Sequence, residues 1–173
     1  MILPDINLLL HAYNRESPVH PAARAWWEQL LNGTRPVGLS WVVMLGFIRV
    51  STHRQILTNP LPVSTACAHA RAWLSRPSVA VVDPGPRHAE ILFGLLESLG
   101  TAGNLTTDAH LAALAIEHQA ELHSTDADFA RFSGLRWANP LAQYRVEQAI
   151  CSCSVTGAAR GCHVGFPSPW TTP

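Results

Sequence analysis

Residues 103–132, GNLTTDAHLAALAIEHQAELHSTDADFARF, combine the signals of a helix, a short strand and a sharp turn. Thr106 or Thr107 can cap the helix, because a hydroxyl oxygen there can accept a hydrogen bond from a free backbone N–H of the first turn. Asp108 falls in that first turn, where the helix dipole favours a negative charge. Apolar side chains follow at helical spacing and indicate the buried side of this helix.

An acidic turn completes this stretch. Residues 121–124 are typical of a strand, and residues 125–128 are typical of a turn at its carboxyl end. The whole unit can therefore deliver Asp108, Asp126 and Asp128 to the same edge of a sheet. A cluster of carboxylates on a rigid scaffold is the usual way to hold a hard divalent cation such as Mg²⁺.

The composition indicates one globular domain. The chain has 173 residues, of which 47% are hydrophobic and 14% charged, so a disordered chain is excluded. No apolar run is long enough to span a bilayer, and the N-terminus lacks the features of a signal peptide, so we expect a cytoplasmic protein without membrane association. The formal net charge is zero, so any nucleic-acid binding must come from a local patch.

The absence of lysine excludes several functions. All twelve basic residues are arginines. P-loop phosphate binding, Schiff-base chemistry and protein-kinase catalysis each depend on a lysine, so the chain belongs to none of these classes.

Strand-like and helical segments alternate along the first 140 residues. This alternation predicts an α/β fold with a mostly parallel sheet that is covered by helices on both faces. In such a sheet, ligand-binding groups collect at the carboxyl ends of the strands. The expected strands are residues 1–4, 37–40, 79–82, 121–124 and 135–137.

Polar residues follow four of these strands and so share one edge of the sheet. Asp5, Ser40, Asp83 and Asp126 each come at or just after the end of a strand. Asp5 can also simply cap the helix that follows it, and the sequence leaves both interpretations open.

The character of the chain changes from about residue 146. Residues 146–173 have no periodicity and are rich in Gly, Pro, Ser and Thr, so we expect an irregular or disordered tail after a domain of residues 1–145. Cys151, Cys153, Cys162 and His163 are residue types that can bind zinc, but their spacing matches no recognised finger or ribbon.

Four segments together resemble the PIN domain, and more narrowly the VapC toxins of VapBC toxin–antitoxin pairs. They are MILPDINLLLHAY, LSWVVMLGFIRVST, LTTDAHLAALAIEH and STDADFARFSGLRWANPL, and they frame residues 1 to about 142. The resemblance implies a three-layer α/β/α fold and an endoribonuclease that depends on Mg²⁺ or Mn²⁺. It also implies a small VapB-like antitoxin that blocks the active site, and a homodimer.

The chain departs from the family pattern at one position. The pattern has a Glu in the helix after the second strand, a few residues ahead of an Arg. Here that place holds Gly46, with Arg49 following. One carboxylate directed at the metal is therefore missing, so either Asp128 supplies the charge, or metal affinity is lower, or the protein is a weak nuclease.

The carboxylates are assigned to the metal by their positions. Asp5 and Asp108 are the expected direct ligands, and Asp126 is a third group that acts directly or through water. Asp128 is the weaker candidate. An Asx turn is the alternative role for Asp126, and an exposed turn or capping residue is the alternative for Asp128. One or two Mg²⁺ ions held there can activate a water and stabilise the leaving oxygen of a phosphodiester.

Four more residues are expected to support the site. Asn7 and Ser40 can orient the ligands from behind them. Arg49 and Thr52 can face the phosphate, since the guanidinium fork matches phosphate geometry. A structural ion pair is an equally good interpretation of Arg49.

Three functions remain, and the residues favour the first. It is a metal-dependent ribonuclease toxin that cleaves RNA. The second is a catalytically weak PIN module that binds RNA or antitoxin without efficient cleavage, which Gly46 suggests. The third is an aspartate-based phosphatase or receiver domain, which also carries an Asp after the first strand. It is disfavoured because those families look to need a phosphate-binding Lys, which this chain lacks, and because Asp5-Ile-Asn7 lacks the second carboxylate of the phosphatase motif.

Overall fold

The computed structural model describes residues 1–142, which form a parallel five-stranded sheet with helices on both faces. The sheet order is β3-β2-β1-β4-β5, and each neighbouring pair of strands runs parallel. The predicted three-layer α/β/α fold is therefore confirmed. The strands are β1 (Ile2–Pro4), β2 (Val37–Leu39), β3 (Val79–Val81), β4 (Glu121–His123) and β5 (Trp137–Ala138).

Six helices connect these strands. They are α1 (Ile6–Tyr13), α2 (His20–Asn32), α3 (Trp41–Ser51), α4 (Val63–Leu74), α5 (His88–Leu99) and α6 (Thr106–Glu117). Short 3₁₀ segments precede α6 (Gly103–Leu105) and follow β4 (Ala127–Arg131). None of the helices in the described part of the chain combines the length and the apolar character that crossing a bilayer requires.

The strand register aligns the residues that follow the three central strands. Ile2 pairs with Val37, and Pro4 pairs with His123. Continuing that register by one to three residues places Ser40, Asp5 and Ser124 side by side just beyond β2, β1 and β4. The sheet geometry alone therefore creates a row of polar side chains at this edge.

The core holds this edge rigidly. The middle residues of the central strands are almost fully buried, and α6 is buried through a run of small and apolar residues that packs it closely to the sheet. Asp108, in the first turn of α6, thus stands on a firmly packed element. The buried run is Ala109, Leu111, Ala112, Ala113, Leu114 and Ala115.

The start of α6 differs from the expectation. Leu105 is the N-cap residue, and no side chain caps the helix. The Thr106 hydroxyl instead donates to the Gly103 carbonyl at 2.9 Å. A 3₁₀ turn leads directly into α6, so Thr106 already has helical backbone geometry and does not cap the helix. The prediction that Thr106 or Thr107 caps α6 is wrong. The domain boundary at residue 145 and the expected tail, with its cysteines and His163, lie outside the described residues.

Glu117 ties the end of α6 to the start of α5. Its Oε2 accepts from the Gly85 N–H at 2.9 Å, and its Oε1 accepts from the Arg87 N–H at 2.8 Å. Burial works to raise the pKa of Glu117, but the two backbone donors together with the nearby His88 and His118 outweigh it and hold the pKa below its usual range. A Cβ on Gly85 would lie 2.6 Å from Glu117 Oε1, so the contact requires glycine.

Replacement of this glycine is expected to destabilise the fold. Gly85→Ala should lower the melting temperature, because the new methyl group displaces the Glu117 carboxylate from both N–H groups. Gly94→Ala is the matched control within α5, since nothing lies within 4 Å of a Cβ placed there. That control should stabilise the protein by about 0.5–1 kcal/mol through helix propensity. Differential scanning calorimetry measures both, and equal shifts in the two variants would contradict the role of Glu117.

Candidate functional site

Asp5 lies at the centre of the polar edge and is 5% exposed. Its Oδ1 accepts from the Ile6 N–H at 2.6 Å, so it caps α1. Its Oδ2 accepts from the Ser124 hydroxyl at 2.8 Å. The capping interpretation that the sequence left open is therefore confirmed, and the ligand-binding interpretation stays a prediction, because a cap at the end of β1 can serve both roles.

The electrostatic environment of Asp5 is unfavourable to its charge. Burial raises the pKa of Asp5 to about 6, and the negative charges of Asp108 and Asp126 add to that effect. The hydrogen bonds from Ser124 and Ile6 act in the opposite direction. A carboxyl group held this way gains from a nearby cation more than an exposed one does.

Asp108 faces the same edge from the first turn of α6. Its side chain is half-buried, and no donor among residues 1–142 forms a hydrogen bond to it. Burial raises the pKa of Asp108, and the charges of Asp126 and Asp128 raise it further. Its carboxylate oxygens are therefore free to bind a cation.

Asp126 and Asp128 occupy the exposed turn after β4. Asp126 Oδ1 accepts from the Asp128 N–H at 2.9 Å, so the Asx turn predicted as an alternative is present. Asp128 Oδ1 lies 3.6 Å from Nη1 of Arg131, with both side chains about half exposed, which makes this a weak ion pair. Both carboxylates still lie close enough to Asp108 to raise its pKa.

The four carboxylates share an edge without forming a closed cage. Within residues 1–142, no group of three or more His, Cys, Asp or Glu side chains is arranged to hold a metal ion. Mg²⁺ commonly binds through one or two carboxylates and keeps several waters, so it does not need such a cage. Oxygen donors that repel one another at Asp5 and Asp108 fit a hydrated hard cation of this kind.

Of the two residues expected to orient the carboxylates, within residues 1–142 Asn7 has a hydrogen bond to the site and Ser40 has none. Asn7 Nδ2 donates to the Ser124 hydroxyl at 2.9 Å, so it supports Asp5 through that serine. Ser40 is buried at the end of β2, and its hydroxyl oxygen has no hydrogen-bond partner among the described residues. Asn7 thus acts on the site through a visible contact, while the orienting role of Ser40 stays a prediction.

Arg49 and Thr52 lie at the carboxyl end of α3. α3 starts at the polar edge and carries Arg49 eight residues further on, roughly 12 Å along the helix axis. Thr52 ends the helix, and its hydroxyl donates to the Ile48 carbonyl at 2.8 Å. No ion pair of Arg49 occurs within residues 1–142, so the structure does not support the ion-pair interpretation. Phosphate binding by both residues stays a prediction.

Gly46 allows α3 to pack closely against α1. A Cβ at this position would lie 2.6 Å from Cδ1 of Ile6, the residue directly after Asp5. The glycine thus has a packing role, and Ile6 fills the adjoining space. No Asp or Glu occurs anywhere in α3, so this helix brings no carboxylate to the edge.

Ser124 is the functional candidate that the sequence analysis missed. It is fully buried directly after β4, and it contacts Asp5, Asn7 and the backbone of Asp126. The available signal was its position immediately beyond a central strand, the same placement that marked Asp5 and Ser40.

Comparison with known proteins identifies the family. A model of the PIN domain matches residues 2–135. This chain belongs to the PIN domain family. The resemblance that the four sequence segments indicated is thereby confirmed.

Two relatives of this PIN domain protein are named as VapC ribonucleases. The chain is 50% identical over 143 residues to Ribonuclease VapC33 of Mycobacterium tuberculosis, and the match covers 83% of this chain and 100% of that protein. It is 44% identical over 142 residues to Ribonuclease VapC37 of the same organism, with 82% and 99% covered.

Solved structures of the family share the fold. VapBC2 from Rickettsia felis, bound to a DNA fragment from its promoter, matches with a TM-score of 0.59 at 20% identity and covers 80% of this chain and 98% of that chain. VapC20 from Mycobacterium tuberculosis, described as a sarcin–ricin loop cleaving toxin, matches with a TM-score of 0.55 at 20% identity, covering 79% and 99%. At this identity the likeness concerns the PIN fold alone.

The repulsion at this edge predicts a stabilising substitution. In metal-free protein, Asp108→Asn should raise the melting temperature at about pH 7–8, because the charge that it removes is partly buried and also repels Asp126 and Asp128. A raised carboxyl pKa destabilises the fold above the folded pKa, and this effect vanishes as pH falls below the unfolded value. The gain should therefore shrink towards about pH 4 and should also shrink when Mg²⁺ is added.

Calorimetry in EDTA and in Mg²⁺ measures this gain. Asp83→Asn is the control, since it removes an exposed carboxylate at the far side of β2 and should change the melting temperature little in either buffer. An unchanged or lower melting temperature for Asp108→Asn would mean that Asp108 serves only to stabilise the start of α6.

Proposed function

We propose that this protein is a Mg²⁺-dependent endoribonuclease and the toxin of a type II toxin–antitoxin pair. The observation that carries the proposal is the meeting of Asp5 and Asp108, whose pKa values are both raised, at the carboxyl edge of the sheet. The 50% identity to Ribonuclease VapC33 over the whole of that protein supports the same reaction class.

In phosphodiester hydrolysis, the carboxylates and their neighbours would have different roles. Asp5 and Asp108 would hold the cation, Asp126 would act as a third group directly or through water, and Asp128 would add negative charge from the exposed turn. A bound Mg²⁺ or Mn²⁺ supplies an activated water and charge stabilisation for the leaving oxygen. Asn7 orients Asp5 through Ser124.

The charge of the site explains why a metal is required for binding RNA. A row of carboxylates repels the phosphate backbone, and the chain has no net positive charge to offset that repulsion. A divalent cation held by Asp5 and Asp108 would offset this repulsion. Arg49 and Thr52, further along α3, can contact phosphates outside the cleavage position.

We further propose a VapB-like antitoxin and a second copy of the chain as protein partners, in the cytoplasm. Trp41 and Leu45 lie one helical turn apart on α3 and are 52% and 60% exposed, although both are large and apolar. Exposed apolar pairs of this kind favour protein contacts. The solved VapBC assemblies with the same fold support an antitoxin partner.

One observation favours a second candidate, a PIN module that binds RNA or antitoxin without efficient cleavage. α3 supplies no carboxylate, so the site has one acidic group fewer than the family pattern. Fewer charged ligands lower cation affinity. The two candidates differ only in whether RNA is cut.

An assay with purified, antitoxin-free protein tests the function. The protein should cleave structured RNA in Mg²⁺ or Mn²⁺ and should not cleave it in EDTA. Asp5→Asn or Asp108→Asn should reduce cleavage by at least roughly 100-fold, since even residues behind the ligands typically contribute 10- to 100-fold. Cleavage products resolved on a denaturing gel give the rates.

Asp83→Asn is again the matched control and should retain the wild-type rate. Cleavage that persists in EDTA would reject the metal mechanism. Failure to cut any RNA in Mg²⁺ or Mn²⁺, with RNA binding intact, would favour the binding module.

A further inference from the structure

The Ser124 hydroxyl lies at the junction of three hydrogen bonds. Its side chain is 0% exposed. Its Oγ lies 2.8 Å from Asp5 Oδ2, 2.9 Å from Asn7 Nδ2 and 2.9 Å from the Asp126 nitrogen. Asp5 and Asn7 lie at the start of α1, and Asp126 lies in the turn after β4, so the hydroxyl joins two distant parts of the chain.

Chemistry determines the direction of each hydrogen bond. A hydroxyl has one hydrogen to donate and two lone pairs to accept with. Asn7 Nδ2 and the Asp126 N–H can only donate, so both lone pairs of Ser124 are used. The hydroxyl hydrogen must therefore point at Asp5, and the hydroxyl is saturated in a single orientation.

This arrangement fixes the carboxylate plane of Asp5. The Ile6 N–H binds Oδ1, and Ser124 binds Oδ2, so both oxygens are held. Each carboxylate oxygen has two acceptor positions, so one remains free on each oxygen. Those free positions can face a cation while the carboxylate itself cannot rotate.

Ser124 also fixes the turn that carries Asp126. The Asp126 N–H donates to Ser124, and the Asp126 carboxylate closes the Asx turn with the Asp128 N–H. The Ser124 hydroxyl oxygen is therefore hydrogen-bonded both to Asp5 at the end of β1 and to Asp126 after β4. Asn7 completes the link, since its Oδ1 also accepts from the Thr125 N–H at 3.4 Å.

We propose that Ser124, held by Asn7, is a positioning residue that sets Asp5 and Asp126 for divalent-cation binding. The inference rests on the proposed metal-dependent function. The contribution of Ser124 is large here because α3 provides no carboxylate, so cation affinity depends on fewer ligands being placed well.

Metal binding without RNA provides the test. Mn²⁺ affinity of the full chain is measured by electron paramagnetic resonance, with circular dichroism as a check of folding. Ser124→Ala should weaken Mn²⁺ binding by roughly 10- to 100-fold, the usual effect of losing a group that orients a ligand. RNA cleavage by this variant should recover at high Mn²⁺ concentration, because the ligands themselves remain.

Two further variants separate positioning from a purely structural role. Ser124→Thr keeps the hydroxyl and should restore most of the lost affinity. Asn7→Ala, at a half-buried position, should weaken Mn²⁺ binding in the same direction. The double variant should bind about as well as Ser124→Ala alone, because both changes act through one hydroxyl.

Ser51→Ala is the matched control, since Ser51 is a buried serine whose hydroxyl contacts only the Ile48 carbonyl. It should leave Mn²⁺ affinity unchanged. Wild-type affinity in folded Ser124→Ala would overturn the inference while leaving the proposed function intact. If Ser124→Ala does not fold, wild-type affinity in Asn7→Ala overturns it equally. Absence of Mn²⁺ binding by the wild-type protein would reject the metal-dependent function and the positioning role together.

Discussion

The burial of a carboxylate among other carboxylates at one edge of the sheet is the constraint on which the rest of this protein depends. Asp5 is nearly excluded from water, and Asp108 and Asp126 add negative charge around it. Such a group destabilises the metal-free fold at neutral pH. Titratable groups with perturbed pKa values of this kind are common at functional sites.

The sheet and its helices enforce this proximity. β1 lies between β2 and β4, so residues directly after these strands are neighbours whatever their side chains. α6 then brings Asp108 to the same edge, held in place by its buried alanines and leucines and by the Glu117 contact to the start of α5. Asp5 and Asp108 both stand on elements that pack into the core, so the scaffold keeps their carboxylates at this edge.

The sequence predicted the elements and most of the carboxylate edge, because both depend on periodicity and strand ends. It did not predict the cap of α6, because a 3₁₀ turn replaced the expected threonine cap. Nor did it single out Ser124, whose importance comes from hydrogen bonds to residues 117 and 119 positions away in the chain.

The most direct test of the central claim is an anomalous diffraction map from crystals of the antitoxin-free protein soaked in Mn²⁺. The account predicts a peak within coordination distance of the Asp5 and Asp108 carboxylates, with Asp126 contacting the ion directly or through a water. A peak bound by other residues, or no peak at this edge in crystals that diffract well, would contradict it.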